Sequence, residues 1–262
     1  MSPGTDSAGQ PFEGRAFGPN PHASDSGDCG SELALALDHF FSSDTSAAGE
    51  VVAARPIVEL LDALRGARVL APLMAHAGGW DTTEEDALQE KSQELSILHL
   101  EGPDGRAVSP IFSDVASMIQ WNTEARPIPV SAQQAALAAA SDGLGLLVLN
   151  PGTPRSLTLR RGAIRALATG DAYVPACVDQ QVVAALHDAV AKESEWVEIA
   201  LVTTGDPGFV LAGPEVLVIL AAQPGLDATE LHHRLARLSM EWGKSAVLAD
   251  RVDGIGVKVV AA

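Results

Sequence analysis

The chain is predicted to be an α+β protein: two mixed α/β-sandwich-like domains with largely antiparallel, hairpin-paired sheets behind a disordered N-terminal tail. Three observations carry this. Residues 102–105, Gly-Pro-Asp-Gly, sit between two extended apolar runs and form a strong hairpin signal. Stretches with helical spacing alternate with short extended runs along the whole of 51–262. At 262 residues the chain also exceeds the usual domain size of about 100–200 residues. The expected division is a tail at 1–50, a first domain at 51–178 and a second at 179–262.

Residues 1–31 are rich in Gly, Pro, Ser and Asp and too poor in aliphatics to offset the entropy of ordering. Leu33, Leu37 and Phe40 or Phe41 then line one face of a short helix, followed by a small-residue linker at 42–50. The first domain reads as a helix at 56–65, a strand at 68–75, an acidic loop, and strands at 95–100 and 107–112. Ser113 is expected to cap a short helix with Val115, Ile119 and Met118 on its apolar face and Trp121 at its end. Arg126-Pro-Ile-Pro-Val130 must be extended, because proline fixes its own φ and restricts the residue before it. A helix at 131–141, strands at 144–149 and 156–160 and a helix at 161–169 complete this part.

The second part opens with a helix at 180–193, buried along Val182, Val183, Leu186 and Val190. Strands are expected at 196–203, 209–212 and 214–222. A helix at 228–241 carries the stripe Leu231, Leu235, Leu238 and Trp242, and strands at 245–249 and 255–260 form a closing hairpin.

The order Pro110-Ile-Phe-Ser113, Trp121-Asn122, Ala125-Arg-Pro-Ile-Pro-Val130, an Ala-rich helix, and a strand ending in Leu149-Asn-Pro-Gly152 resembles the SseB family, named after the enhanced serine sensitivity protein. The resemblance spans Pro56 to Val178, and a C-terminal family-like domain is expected from Asp179. The family name records a phenotype, so the resemblance implies a fold and no catalytic residue.

A formal net charge of −17 argues against binding phosphate backbones or anionic lipid, which need clustered Lys and Arg. Nucleic acid and membrane are therefore not expected partners. Cys29 and Cys177 lack disulfide-framework or metal-type spacing. The first residues lack the basic start and apolar core of a signal peptide, and no run approaches ~18 apolar residues. A cytoplasmic location is expected.

No GxSxG, Walker A or HExxH motif occurs. The acidic loop from Asp81 to Glu94 lacks EF-hand spacing and reads as solvated. His232 and His233 point about 100° apart on a helix and cannot share a metal as i, i+4 histidines do. His76 follows a strand without an activating partner in sequence, and Gly143-Leu-Gly145 opens a strand where a dinucleotide site would open a helix. Neither metal nor cofactor is expected.

Two surfaces remain. Trp80 and Trp121 sit at element ends, and with Phe112 and Arg126 they form a candidate recognition patch. Arg161 and Arg165, near Arg155 and Arg160, share a helix face in its first turns and form a candidate anion corner. The expected function is a non-enzymatic protein-binding or regulatory module with an unidentified protein partner. The alternative is a sensor holding a small anionic metabolite between the domains, and an enzyme without a local motif ranks third. Self-association into a homo-oligomer is a further expectation.

Overall fold

The computed structural model describes residues 25–43, 53–74, 98–193, 195–225 and 227–262. The expected disordered tail falls mostly outside these residues, as do His76, Trp80 and the acidic loop. Within them the fold is α+β, with helices and sheets of mixed direction.

Helix α1 (Ser31–Ser42) buries Leu33 and Leu37. Helix α2 (Arg55–Arg65) has Pro56 in its first turn, where a missing N–H costs nothing, and buries Ile57, Leu60, Leu61 and Leu64. Strand β1 (Arg68–Leu73) follows. Strands β2 (Leu100–Glu101) and β3 (Ala107–Ile111) pair antiparallel across the Gly102–Gly105 turn, as predicted.

Asp114, not Ser113, caps α3 (Val115–Trp121), its carboxylate accepting the Ser117 N–H at 2.7 Å. Ser113 instead donates its backbone N–H to Asn150 Oδ1 at 2.9 Å, tying the end of β3 to the turn after β5. Met118 is the fully buried residue of α3, whereas Ile119, expected inside, is 48% exposed.

Strand β4 (Arg126–Ser131) pairs antiparallel with β1, placing Pro127 opposite Pro72 and Pro129 opposite Leu70. Leu70 exchanges both backbone hydrogen bonds with Phe112, so its polar groups point away from β4. Pro129, and by the two-residue period Pro127, therefore face the outer edge, and neither offers an N–H there. That edge is closed to strand addition.

Helix α4 (Ala132–Ser141) starts with a reciprocal capping box between Ser131 and Gln134. Strand β5 (Leu147–Leu149) runs parallel to β3, and β6 (Leu157–Leu159) returns antiparallel, giving the order β2-β3-β5-β6. Helix α5 (Arg161–Thr169) ends at Gly170, whose φ of 77° suits glycine. These elements share one buried cluster that includes Leu60, Leu64, Leu149, Leu159 and Ile164.

Helix α6 (Gln180–Ala191) is capped by Asp179. Strands β7 (Val197–Thr204) and β8 (Val216–Ala222) pair antiparallel. Helix α7 (Ala228–Gly243) packs Leu238 and Trp242 on the sheet, with Leu231 and Leu235 at the margin. Two expectations fail here. Residues 245–249 are not a strand: Ser245 caps helix α8 (Ala246–Arg251), its hydroxyl accepting from Leu248 N–H. Strand β9 (Ile255–Ala261) then pairs parallel with β8, so the closing unit is a crossover through α7 and α8 and not a hairpin. Val182, Leu186, Val218, Leu220 and Trp242 belong to a second buried cluster.

Residues 209–212 are no strand either. Asp206 pulls the segment round its carboxylate, Oδ1 accepting from Val210 N–H at 3.2 Å and Oδ2 from Leu211 N–H at 2.9 Å. Phe209 and Leu211 take positive φ values of 53° and 59°, which pleated backbone does not allow.

Candidate functional site

The site grows from Arg160, between β6 and α5. It is 3% exposed, and a buried guanidinium is tolerated only when its donors and charge are matched. Its Nη2 donates to Asp206 Oδ2 at 2.6 Å and to the Gly213 carbonyl at 2.7 Å, and its Nη1 to Asp253 Oδ2 at 3.0 Å. Arg106 Nη1 lies 2.9 Å from both oxygens of the same Asp253. The Asp253 N–H donates to Glu215 Oε2 at 2.6 Å. Two arginines from the β3 and β6 ends thus clamp acids from the loops around β7, β8 and β9.

Above this network lies a cleft of about 410 Å³. That is within the range of small-molecule sites, which run from about 300 to 1,000 Å³. Phe40 and Phe209 meet edge to face across its wall, ring centroids 5.9 Å apart, and Phe40 meets Phe41 at 5.0 Å. Phe209 is held at its positive φ by donation of its N–H to the Asp206 carbonyl and by acceptance at its own carbonyl from Thr158 N–H. A non-glycine residue in this region stores strain that the surrounding contacts must hold.

Tyr173, the chain's one tyrosine, and Glu215 also line the cleft. Both flank Gly162: a Cβ there would lie 3.8 Å from Tyr173 Cε2 and 3.9 Å from Glu215 Oε1. Tyr173 is 5% exposed. Burial raises its phenol far above the ordinary range, with the Glu215 charge adding to the effect. Burial likewise pushes the Glu215 carboxyl from 4.5 up to about 7, opposed by the hydrogen bond from the Asp253 N–H and by the Arg160 and Arg161 charges and reinforced by the Asp253 carboxylate.

The arginines of the expected anion corner each have protein partners. Arg161 Nη1 donates to the Ala249 carbonyl at 3.0 Å, Arg165 pairs with Asp250 at 2.6 Å, and Arg155 pairs with Asp38. Arg161 and Arg165 bind α5 to α8, and the depression beside Arg165 is only about 100 Å³. Of the expected recognition patch, Phe112 is fully buried and cannot meet a partner directly; it stacks on Trp121 at 5.3 Å. Trp121 is half-buried, Arg126 is exposed and Trp80 lies outside the described residues. His232 and His233 are exposed. Among the described residues no His, Cys, Asp and Glu group is placed to hold a metal, and no helix is long and apolar enough to cross a membrane.

Sequence reasoning placed Arg160 in the basic cluster but missed Asp206, Glu215, Asp253 and Tyr173. Two signals were present: the lone tyrosine, and Glu215 as the one charge opening the apolar run 214–222.

Residues 46–166 match the family model of the SseB protein N-terminal domain. No curated protein and no solved structure matches the chain. Arg160 lies inside the matched span, whereas Tyr173, Asp206, Glu215 and Asp253 lie beyond its end.

Proposed function

For a chain that carries an SseB N-terminal domain over residues 46–166, we propose a cytoplasmic, non-enzymatic regulatory module that binds a small molecule in the cleft over Arg160. The observation that supports this is a 410 Å³ cleft walled by Phe40, Phe209 and the buried Tyr173, with the buried Glu215 carboxyl group beside them. Binding, as opposed to turnover, fits the state of Arg160: both its terminal nitrogens are already engaged by Asp206, Asp253 and Gly213. The cleft walls come from α1, the 206–209 loop and β7, so occupancy would bias how these segments pack.

A fragment screen by ligand-observed NMR on the full chain tests this, repeated on Thr203→Phe, which fills the cleft from β7. Hits lost in the variant support the reading. Hits equally strong in the variant place binding elsewhere and refute it.

Protein recognition at α3 is the second reading, favoured by Ile119, exposed on a helix that otherwise buries Met118. Because Pro127 and Pro129 close the β4 edge, such a contact would run through side chains of Ile119, Trp121 and Arg126. Capture of one defined partner by the wild type but not by Ile119→Asp would favour it.

A further inference from the structure

The charged groups lining the cleft, among the described residues, are Arg160, Asp206 and Glu215. Both terminal nitrogens of Arg160 are engaged by Asp206, Asp253 and the Gly213 carbonyl. Asp206 accepts from Arg160 and from the Val210 and Leu211 N–H groups. Glu215, 8% exposed, accepts from one backbone N–H and has no cationic side chain hydrogen-bonded to it. Among the described residues the cleft therefore offers a buried acid that no cation hydrogen-bonds, and no free base. An anion or a carboxylate-bearing ligand would bring a second negative charge with nothing to meet it. A hard metal ion needs several oxygens, and a single carboxylate beside aromatic walls does not supply them. An organic ammonium fits both features: it pairs with the carboxylate and lies against the negative faces of aromatic rings.

Resting on the reading of the cleft as a ligand site, we propose that its ligand is a small organic amine lacking a carboxylate, the ammonium on Glu215 and the apolar body among Phe40, Phe209 and Tyr173. This reverses the charge expected at the arginine corner. Glu215 is faced by Tyr173 from the loop after α5, by Arg160 and Arg161 at the start of α5, and by Asp253 before β9. Its tendency to hold a proton near neutral pH follows from burial and the Asp253 charge outweighing the Asp253 N–H hydrogen bond and the two arginines. Binding of the ammonium to the protonated acid releases that proton: the carboxylic acid and R–NH3+ become the ion pair plus H+. Amine affinity should weaken as pH falls below 7, by about tenfold per unit.

The test is calorimetric titration of the full chain with three shape-matched probes: 2-phenylethylamine, 2-phenylethanol and 3-phenylpropionate. The amine should bind about tenfold or more tighter than the alcohol, with the carboxylate weakest, and Glu215→Gln should reduce the amine to the level of the alcohol. In buffers of different ionisation enthalpy the wild type should release about one proton per amine at pH 6 and about none at pH 8.5. This second measurement needs no variant to fold. If the alcohol or carboxylate binds as well as the amine, and Thr203→Phe abolishes that binding, the cleft reading stands and the amine is wrong. If no probe binds wild type, and the fragment screen also yields no hit sensitive to Thr203→Phe, both fall.

Discussion

Replacing Glu215 by Gln should make stability less sensitive to pH. In the folded chain burial lifts the carboxyl from 4.5 to about 7, a difference of about 3 kcal/mol between its two protonation states at 1.36 kcal/mol per unit. Below pH 4.5 the group is protonated in both the folded and unfolded chain and contributes no difference. Between about pH 4.5 and 7 the folded chain holds more proton than the unfolded one, so stability falls as pH rises, and above 7 the full penalty is present. Gln keeps a carbonyl that can accept the Asp253 N–H but does not ionise. The stability of Glu215→Gln minus that of wild type should therefore grow by about 3 kcal/mol between pH 4.5 and pH 8. Groups common to both proteins largely cancel in the difference. Urea denaturation at half-unit intervals measures it, with the slope compared to confirm that the same surface is exposed. A difference independent of pH, or a variant that loses stability relative to wild type at pH 8, would refute the assignment of Glu215 as a buried acid lacking a counterion.

Arg160→Leu should cost about 3–5 kcal/mol in the same assay, because Asp206 and Asp253 are left buried with their shared cation gone; a loss under 1 kcal/mol would mean that these acids are hydrated. Gly205→Ala should destabilise by about 1–3 kcal/mol, since a Cβ would stand 2.5 Å from the Pro214 carbonyl oxygen, and thermal unfolding reads it. Ser131→Ala should cost about 1 kcal/mol by removing the capping box of α4 while leaving fragment binding in the cleft unchanged.

The elements whose signals are local were legible. The Pro103-Asp-Gly105 turn, the alternating prolines of β4 and the apolar stripes of α2 and α6 each specify structure within a few residues. The misread segments depend on distant or competing partners. Phe209-Val-Leu-Ala212 has the composition of a strand, yet the Asp206 carboxylate supplies its N–H groups with a different acceptor and winds it into a loop. Ala246-Val-Leu-Ala249 has strand-like composition too, but the Ser245 cap starts a helix, which in turn lets β9 return parallel. The arginine corner was visible as a cluster, whereas its acids come from Asp206, Asp250 and Asp253. Spacing along the chain does not bring those residues together; the packing of α5 against α8, with the loops after β7 and before β9 beside it, does.

Backbone-amide NMR mapping of 2-phenylethylamine on the full chain at pH 7.5 tests the central claim most directly. Saturable shifts concentrated at Tyr173, Thr204, Gly208 and Phe209 are the predicted result. Shifts concentrated instead on Ile119, Trp121 and Arg126, or no saturable shift at the cleft, would contradict it.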